Sequence, residues 1–178
     1  MIAVYDTETT GLTLHPDAPL EKQPRMIEFG GVLLDESNGE VAAEISLLID
    51  PCSEISDEIT KITGITPDMV IGAPKFTEAL PQIREFFARA DTVMAHNLPF
   101  DKAIVFGELR RAGAQDNFPW PKKEICTVGA YRAMWGKNPK LIDLYAAVMN
   151  RPLAQTHRAL DDVRALVEIV KADQLWTL

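Results

Sequence analysis

Cysteine is scarce: Cys52 and Cys126 are the only two in 178 residues, and they form no C-x-x-C pair. A disulfide framework and a zinc knot are therefore not expected, and the thiols read as buried or idle in a reducing compartment. Long apolar runs are missing as well. No uncharged stretch approaches the roughly 18 residues that would mark a membrane span, and no basic segment precedes an apolar core at the N-terminus. No membrane partner is expected, and the cytoplasm is the expected location. Positive charge is also in short supply, with 18 Lys and Arg against 26 Asp and Glu and a net charge of −8. That balance argues against a long groove for a polyanion. No repeat or low-complexity tract breaks the chain. Its length suits one domain, residues 1–178, able to bury roughly 70% of its unfolded surface without a disulfide or structural metal.

The positive charge that exists is concentrated. Between Arg110 and Lys140 stand seven basic residues against Asp116 and Glu124, a net +5. Such a segment suits a short grip on a strand end, or simply a solvated helix and loop surface. Trp120 and Trp135 lie within it and could stack on bases, although burial is the commoner fate of such rings.

Along the chain, MIAVYDTE has the alternation of a half-buried strand. The long Pro-containing segment TLHPDAPLEKQP follows, with His15 in it as plain surface; structureless connections of this length tend to be functional or mobile. MIEFGGVLLDE and GEVAAEISLLID form two apolar strands around a Ser-Asn-Gly turn, a hairpin. SDEITKIT reads as a capped helical turn, and FTEALPQIREFFARA as an amphipathic helix with Leu80, Ile83, Phe86 and Phe87 inward. TVMAH is a short buried strand. LPFDKAIVFGELRRAG is a helix opened by Pro99 and stopped by Gly113. EICTV is a further strand, followed by helices in GAYRAMWG, LIDLYAAVMN and HRALDDVRALVEIVKADQ. A strand hairpin followed by alternating helices and strands implies an α/β fold, a mixed sheet with helices on its faces.

Against this background the acids stand out. On a strand Asp6 and Glu8 share the face of Ile2 and Val4, so two carboxylates look out from one surface. At an effective dielectric of about 20 and roughly 5 Å they repel by about 3 kcal/mol. Either a divalent cation offsets that repulsion or the pair lies on a solvated sheet edge. Two more acids fall at strand exits and helix starts, where sites in such sheets assemble. One is Asp101 in AHNLPFDKA, in the first turn of a helix that Asn97 can cap, where the positive helix end is expected to keep a carboxylate ionised. The other is in THRALDDVRAL. At 100° per residue Asp162 lies on the flank of the apolar face, while Asp161 points to solvent. His157 can approach Asp162 only if the helix begins at or just after it.

Asp6-x-Glu8 in DTETTGL, HNLPFD ending in Asp101, and His157-x-Ala-x-x-Asp162 together resemble the three motifs of the DEDDh, or DnaQ-like, 3′-to-5′ exonucleases. That group includes proofreading exonucleases of bacterial replicative polymerases, ribonuclease T and oligoribonuclease. The likeness runs over roughly residues 1 to 172 and includes ITGIT near Gly64 and ICTV near Cys126. It implies a ribonuclease H-like fold, a five-stranded mixed sheet of order 3-2-1-4-5 with the first three strands antiparallel.

The resemblance implies that Asp6, Glu8, Asp101 and Asp162 ligate two divalent ions, and all-oxygen ligands by themselves favour Mg²⁺ or Mn²⁺. His157 would be the general base. Thr9, Thr10, Gly11 and Leu12 would meet the terminal nucleotide, Thr9 at its 3′-hydroxyl and Leu12 against a base, with Asn97 and Phe100 supporting the second motif. Packing accounts for Leu12 and Phe100 equally well. Thr63 stands where many relatives carry histidine. The expected activity is release of nucleoside 5′-monophosphates from the 3′ end of DNA, single-stranded or frayed, in proofreading or repair. The alternatives are trimming of RNA 3′ ends and a non-catalytic nucleic-acid-binding module. Little chain follows the last helix, so a polymerase partner is expected to touch the domain surface.

Overall fold

The computed structural model describes residues 1–175. Strand β1 (Ile2–Thr9) pairs antiparallel with β2 (Met26–Leu34), which pairs antiparallel with β3 (Val41–Leu48). On its other side β1 runs parallel to β4 (Thr92–Ala95), and β4 runs parallel to β5 (Lys123–Cys126). The sheet order is therefore β3-β2-β1-β4-β5, the order that the resemblance implies. Among the described residues the sheet is joined by six α-helices: α1 (Asp57–Thr63), α2 (Phe76–Ala88), α3 (Leu98–Arg111), α4 (Thr127–Trp135), α5 (Leu141–Met149) and α6 (Ala159–Asp173). None is long and apolar enough to cross a membrane.

The alternation along β1 holds, but the strand is not half-buried. Ile2 and Val4 enter a core formed with α4, α5 and α6, while Ala3 and Tyr5 enter a second core with α2 and α3. A central strand covered on both faces is buried on both, so its alternation separates two cores rather than core from water. Leu80 is only partly buried beside the buried Ile83, Phe86 and Phe87. Of the two readings of the thiols, buried or idle, burial does not hold for Cys52, which is free and exposed on the turn after β3 with φ of 52°.

Two glycines in β2 set how closely the helices approach. A Cβ on Gly30 would lie 2.4 Å from the Leu160 backbone nitrogen, and one on Gly31 would lie 2.5 Å from the Phe86 ring. The first turn of α6 thus rests on bare backbone at Gly30. Since Gly30 pairs with Asp6 across the strands, the start of α6 is brought down beside that acid.

Tyr5 lies in an aromatic cluster, its ring centroid 5.2 Å from that of Phe87 and 6.0 Å from that of Trp120. Trp120 is thereby committed to packing, and its indole N–H donates to Glu124 at 2.7 Å. Trp135 packs against the α6 core. The buried Tyr5 hydroxyl has no hydrogen-bond partner among the described residues. An unsatisfied buried hydroxyl forfeits its hydration without return, so Tyr5→Phe is expected to raise the unfolding free energy by about 1 kcal/mol. Urea titration checks this, and a loss of that size would show that the hydroxyl is satisfied in solution.

Candidate active site

Asp6 and Glu8 project from the C-terminal half of β1 toward α6, and Asp162 comes down from the first turn of α6 to meet them. One carboxylate oxygen from each lies within 4.8 Å of the other two. Asp161, one residue earlier, is exposed and pairs with Arg164, so the helical phase chose the inward acid correctly. No Lys or Arg forms a salt bridge with Asp6, Glu8 or Asp162 among the described residues. Among the described residues, the one side-chain hydrogen bond to the trio comes from Gln155, whose amide donates to Asp162 at 2.9 Å. Burial, then repulsion from Asp162, Glu28 and Asp101, pushes the Glu8 carboxyl up to about 8. Burial first, then Asp101 and Glu8, pushes Asp6 well above the carboxylate range, and burial raises Asp162 as well.

Asp101 arrives from the first turn of α3 and is 2% exposed. Its Oδ1 accepts from the Thr7 hydroxyl at 2.8 Å and the Thr7 backbone N–H at 3.1 Å. It lies outside the close trio but near enough for its charge to raise Asp6. At Asp101 burial outweighs the positive helix end. Burial pushes Asp101 up to about 7 against the opposing hydrogen bonds from Thr7. Asn97 stands at the N-cap position in a left-handed conformation, φ 73°, but its side chain makes no capping hydrogen bond and is exposed to the cleft.

His157 is exposed and sits ahead of the helix, which begins at Ala159; with φ of 51° it turns out of the helical path. It lines one cleft of about 550 Å³ together with Asp6 and Asp162, and its charge acts on Asp162. What holds it there went unnoticed in the sequence. Glu28, 1% exposed and directly across from Glu8 in the β1–β2 pair, accepts from Arg158 Nε at 3.1 Å and from Nη2 at 2.5 Å. It also accepts from the Ala159 backbone N–H at 2.9 Å, so one buried carboxylate fastens both the residue after His157 and the start of α6. The signal was present: Glu28 is the single acid inside the continuous apolar strand MIEFGGVLL, and a buried charge needs a partner.

The loop after β1 is fixed at its base. Thr10 exchanges two backbone-directed hydrogen bonds with Arg25, each 2.9 Å. Buried Glu108 on α3 accepts from Arg25, Arg111 and the Met26 N–H. Arg111 spends its remaining donors on the carbonyls of Leu20, Gln23 and Pro24, which removes it from the basic face read in the sequence. The Thr9 hydroxyl donates to the Gly11 carbonyl at 2.7 Å, shaping the turn that leads to Leu12. Leu12 is 82% exposed, so packing does not explain it, whereas Phe100 is partly buried against the α2–α3 core. Thr63 is buried in α1 and bonded to Ile59 and Ile65, away from any ligand role.

Carboxylate oxygens packed without cationic partners are a donor set that a hard divalent cation fits, with Asp6, Glu8 and Asp162 as its holders and Asp101 adjoining.

Comparison with known proteins follows the same lines. The RNase_T family profile, described as Exonuclease, matches residues 3–170. The chain is 33% identical over 169 residues to the DNA polymerase III PolC-type of Clostridium perfringens (strain 13 / Type A), covering 94% of this chain and 11% of that one. To the DNA polymerase III subunit epsilon of Treponema pallidum (strain Nichols) it is 30% identical over 168 residues, covering 93% and 72%. The chain thus spans about a tenth of the length of the PolC-type relatives it matches. Among solved structures, Exonuclease X in complex with 5′ overhanging duplex DNA superposes with a TM-score of 0.66 at 25% identity, covering 98% of this chain and 93% of that one. The nuclease domain of 3′hExo, a DEDDh family member bound to rAMP, shares the fold with a TM-score of 0.76 at 20% identity, covering 99% and 92%.

Proposed function

Because the chain belongs to the RNase_T exonuclease family, nucleases of the DEDDh, DnaQ-like type, we propose that residues 1–178 act as one domain that removes nucleotides from the 3′ end of single-stranded or frayed DNA, in the service of a polymerase. The observation that supports this reading most is the convergence of Asp6, Glu8 and Asp162 within 4.8 Å in a cleft shared with His157, with no salt bridge from Lys or Arg to any of the three among the described residues. DNA is preferred over RNA as substrate because the relatives include polymerase III subunits.

In this reading Asp6, Glu8 and Asp162, with Asp101 alongside, hold two divalent ions, Mg²⁺ or Mn²⁺. Such ions would activate a water at neutral pH and neutralise charge on the phosphate and the leaving 3′ oxygen. His157, a side chain suited to proton transfer near neutral pH, accepts the proton of the attacking water at the cleft mouth. Water oxygen bonds to phosphorus, the bond to the 3′ oxygen breaks, and a nucleoside 5′-monophosphate leaves. The Glu28–Arg158 pair holds His157 in place through the backbone of α6. Thr9, Thr10, Gly11 and Leu12, fixed at Arg25, face the terminal nucleotide, with exposed Leu12 against its base and Asn97 and Phe100 beside the second motif.

The test is digestion of matched 5′-labelled DNA and RNA oligonucleotides in Mg²⁺ or Mn²⁺. A ladder shortening from the 3′ end, faster on DNA and lost in Asp6→Ala and His157→Ala, is the expected result. A faster ladder on RNA would reassign the substrate, and no ladder on either would turn the reading toward a binding module.

A further inference from the structure

The cleft that holds the acids has a second wall, built from the segment between α4 and α5. Pro139 and Lys140 lie on it and line the same cleft as Asp6, His157 and Asp162. Nothing in the acid cluster explains why this segment stands where it does. The tether comes from His96, at the end of β4. Its Nε2 lies 3.0 Å from the Pro139 carbonyl and its Nδ1 3.0 Å from the Thr127 hydroxyl. A carbonyl only accepts, so Nε2 carries the proton and donates, and in the neutral ring Nδ1 accepts from Thr127. Half-buried, with both nitrogens engaged, the imidazole fastens the linker to the sheet.

What the tether presents is charge. Lys140 is the one Lys or Arg among the described residues lining this cleft, and its ammonium forms no ion pair or hydrogen bond there. It is exposed at the start of α5 and lines the same cleft as Asp6 and Asp162, with neither of which it forms a salt bridge. A cation held across a cleft from carboxylates, and not neutralised by them, suits an anion passing between. In a nuclease cleft the anion other than the scissile phosphate is the next phosphodiester of the strand.

Resting on the exonuclease reading above, we propose that Lys140 grips the phosphodiester upstream of the scissile bond, and that His96 is a positioning residue that holds the Asn138–Lys140 segment at the height where this contact forms. The contact is to the backbone and takes any base. It also gives the concentrated basic segment of the sequence a function at one residue, while Arg111 in the same segment serves the fold.

The experiment compares two substrates in the full chain with Mn²⁺: a single-stranded DNA decanucleotide, and the 4-nitrophenyl ester of thymidine 5′-monophosphate, which carries a scissile phosphate and no upstream one. Lys140→Ala is expected to lower the ratio of kcat/KM for the decanucleotide over the ester about tenfold, through KM. The slope of log KM against log salt should become shallower by about 0.7, the loss of one phosphate contact on a single strand. His96→Ala should lower the same ratio, His96→Gln should recover much of it, and the double variant His96→Ala/Lys140→Ala should do no worse than Lys140→Ala, because the two act as a unit. Equal losses on both substrates, or an unchanged ratio and salt slope in Lys140→Ala, would overturn the proposal. If the unsubstituted chain cleaves neither substrate, the exonuclease reading itself fails, an outcome distinct from these.

Discussion

Asp6→Asn is expected to cut nuclease activity by about 10³-fold while making the metal-free protein more stable. The activity loss follows from charge. A bound divalent ion is worth several kcal/mol of transition-state stabilisation, and about 4 kcal/mol corresponds to a factor near 10³. Asp6 is central to the acid cluster, touched by the fields of Asp101, Glu8, Asp162 and Glu28. Removing its charge lowers the field that attracts the cation. The stability gain follows from the same neighbours, because the folded chain without metal holds this carboxylate in a buried, like-charged place that it must either leave protonated or endure. Asparagine has nearly the same shape and no charge to place there. Because burial and its neighbours raise the Asp6 carboxyl, the expected gain in chelator is smaller at pH 5 than at pH 8 and grows as pH rises. Thermal melts in EDTA at both values, beside the labelled-oligonucleotide assay, check the pair of effects. A variant that is both inactive and less stable at pH 8 would show that Asp6 is a packing residue, and the assignment of the cluster to metal would fall.

Much of this site could be read from the sequence, for a physical reason. The strand period of two put Asp6 and Glu8 on one face, and the helical phase separated Asp162 from Asp161; both are local geometry, fixed by bonded neighbours. The hairpin signal and the alternation of elements pointed to a mixed α/β sheet, while its strand order was implied by the motif resemblance alone. What could not be read is what depends on long-range contact. Glu28 fastens Arg158 and Ala159 across 130 residues of sequence, and His96 fastens Pro139 across 43. Local pattern carries no information about such partners beyond the oddity of a polar residue in an apolar strand. The upward push that burial exerts on Asp101 was not legible for a similar reason. Its helix end is local and favours charge, but the second core that buries it is assembled from α2, α3 and β1 together. The exposure of Leu12 was likewise open until the Thr9 and Thr10 bonds fixed the course of the loop.

The same cluster is expected to couple the stability of the chain to pH and to metal. Glu8 has a folded-state value near 8 against an ordinary 4.5, and Asp101 one near 7 against 3.8. For an acid raised on folding, the folded state binds the proton more tightly than the unfolded state. The associated stability is fully present below the unfolded value and is lost as pH rises through the folded one. Without metal, the unfolding free energy should thus fall between pH 5 and pH 8, by about 3 kcal/mol from Glu8 alone at 1.36 kcal/mol per unit. A divalent cation binds only the deprotonated carboxylates, so its effect has the opposite slope. At a hundredfold excess over its dissociation constant it adds about 2.7 kcal/mol, and that increment should be largest at pH 8 and shrink toward pH 5, where protons compete for the same oxygens. Urea titrations in EDTA and in Mn²⁺ at both values separate the two slopes. If stability in EDTA is flat across the window and Mn²⁺ adds nothing at pH 8, the carboxylates are already neutralised by something within the fold, and the close approach of Asp6, Glu8 and Asp162 would need another cause. If the two curves diverge as pH rises, the repulsion that opened at Asp6 and Glu8 is measured directly, as stability that the folded chain lacks until a cation supplies it.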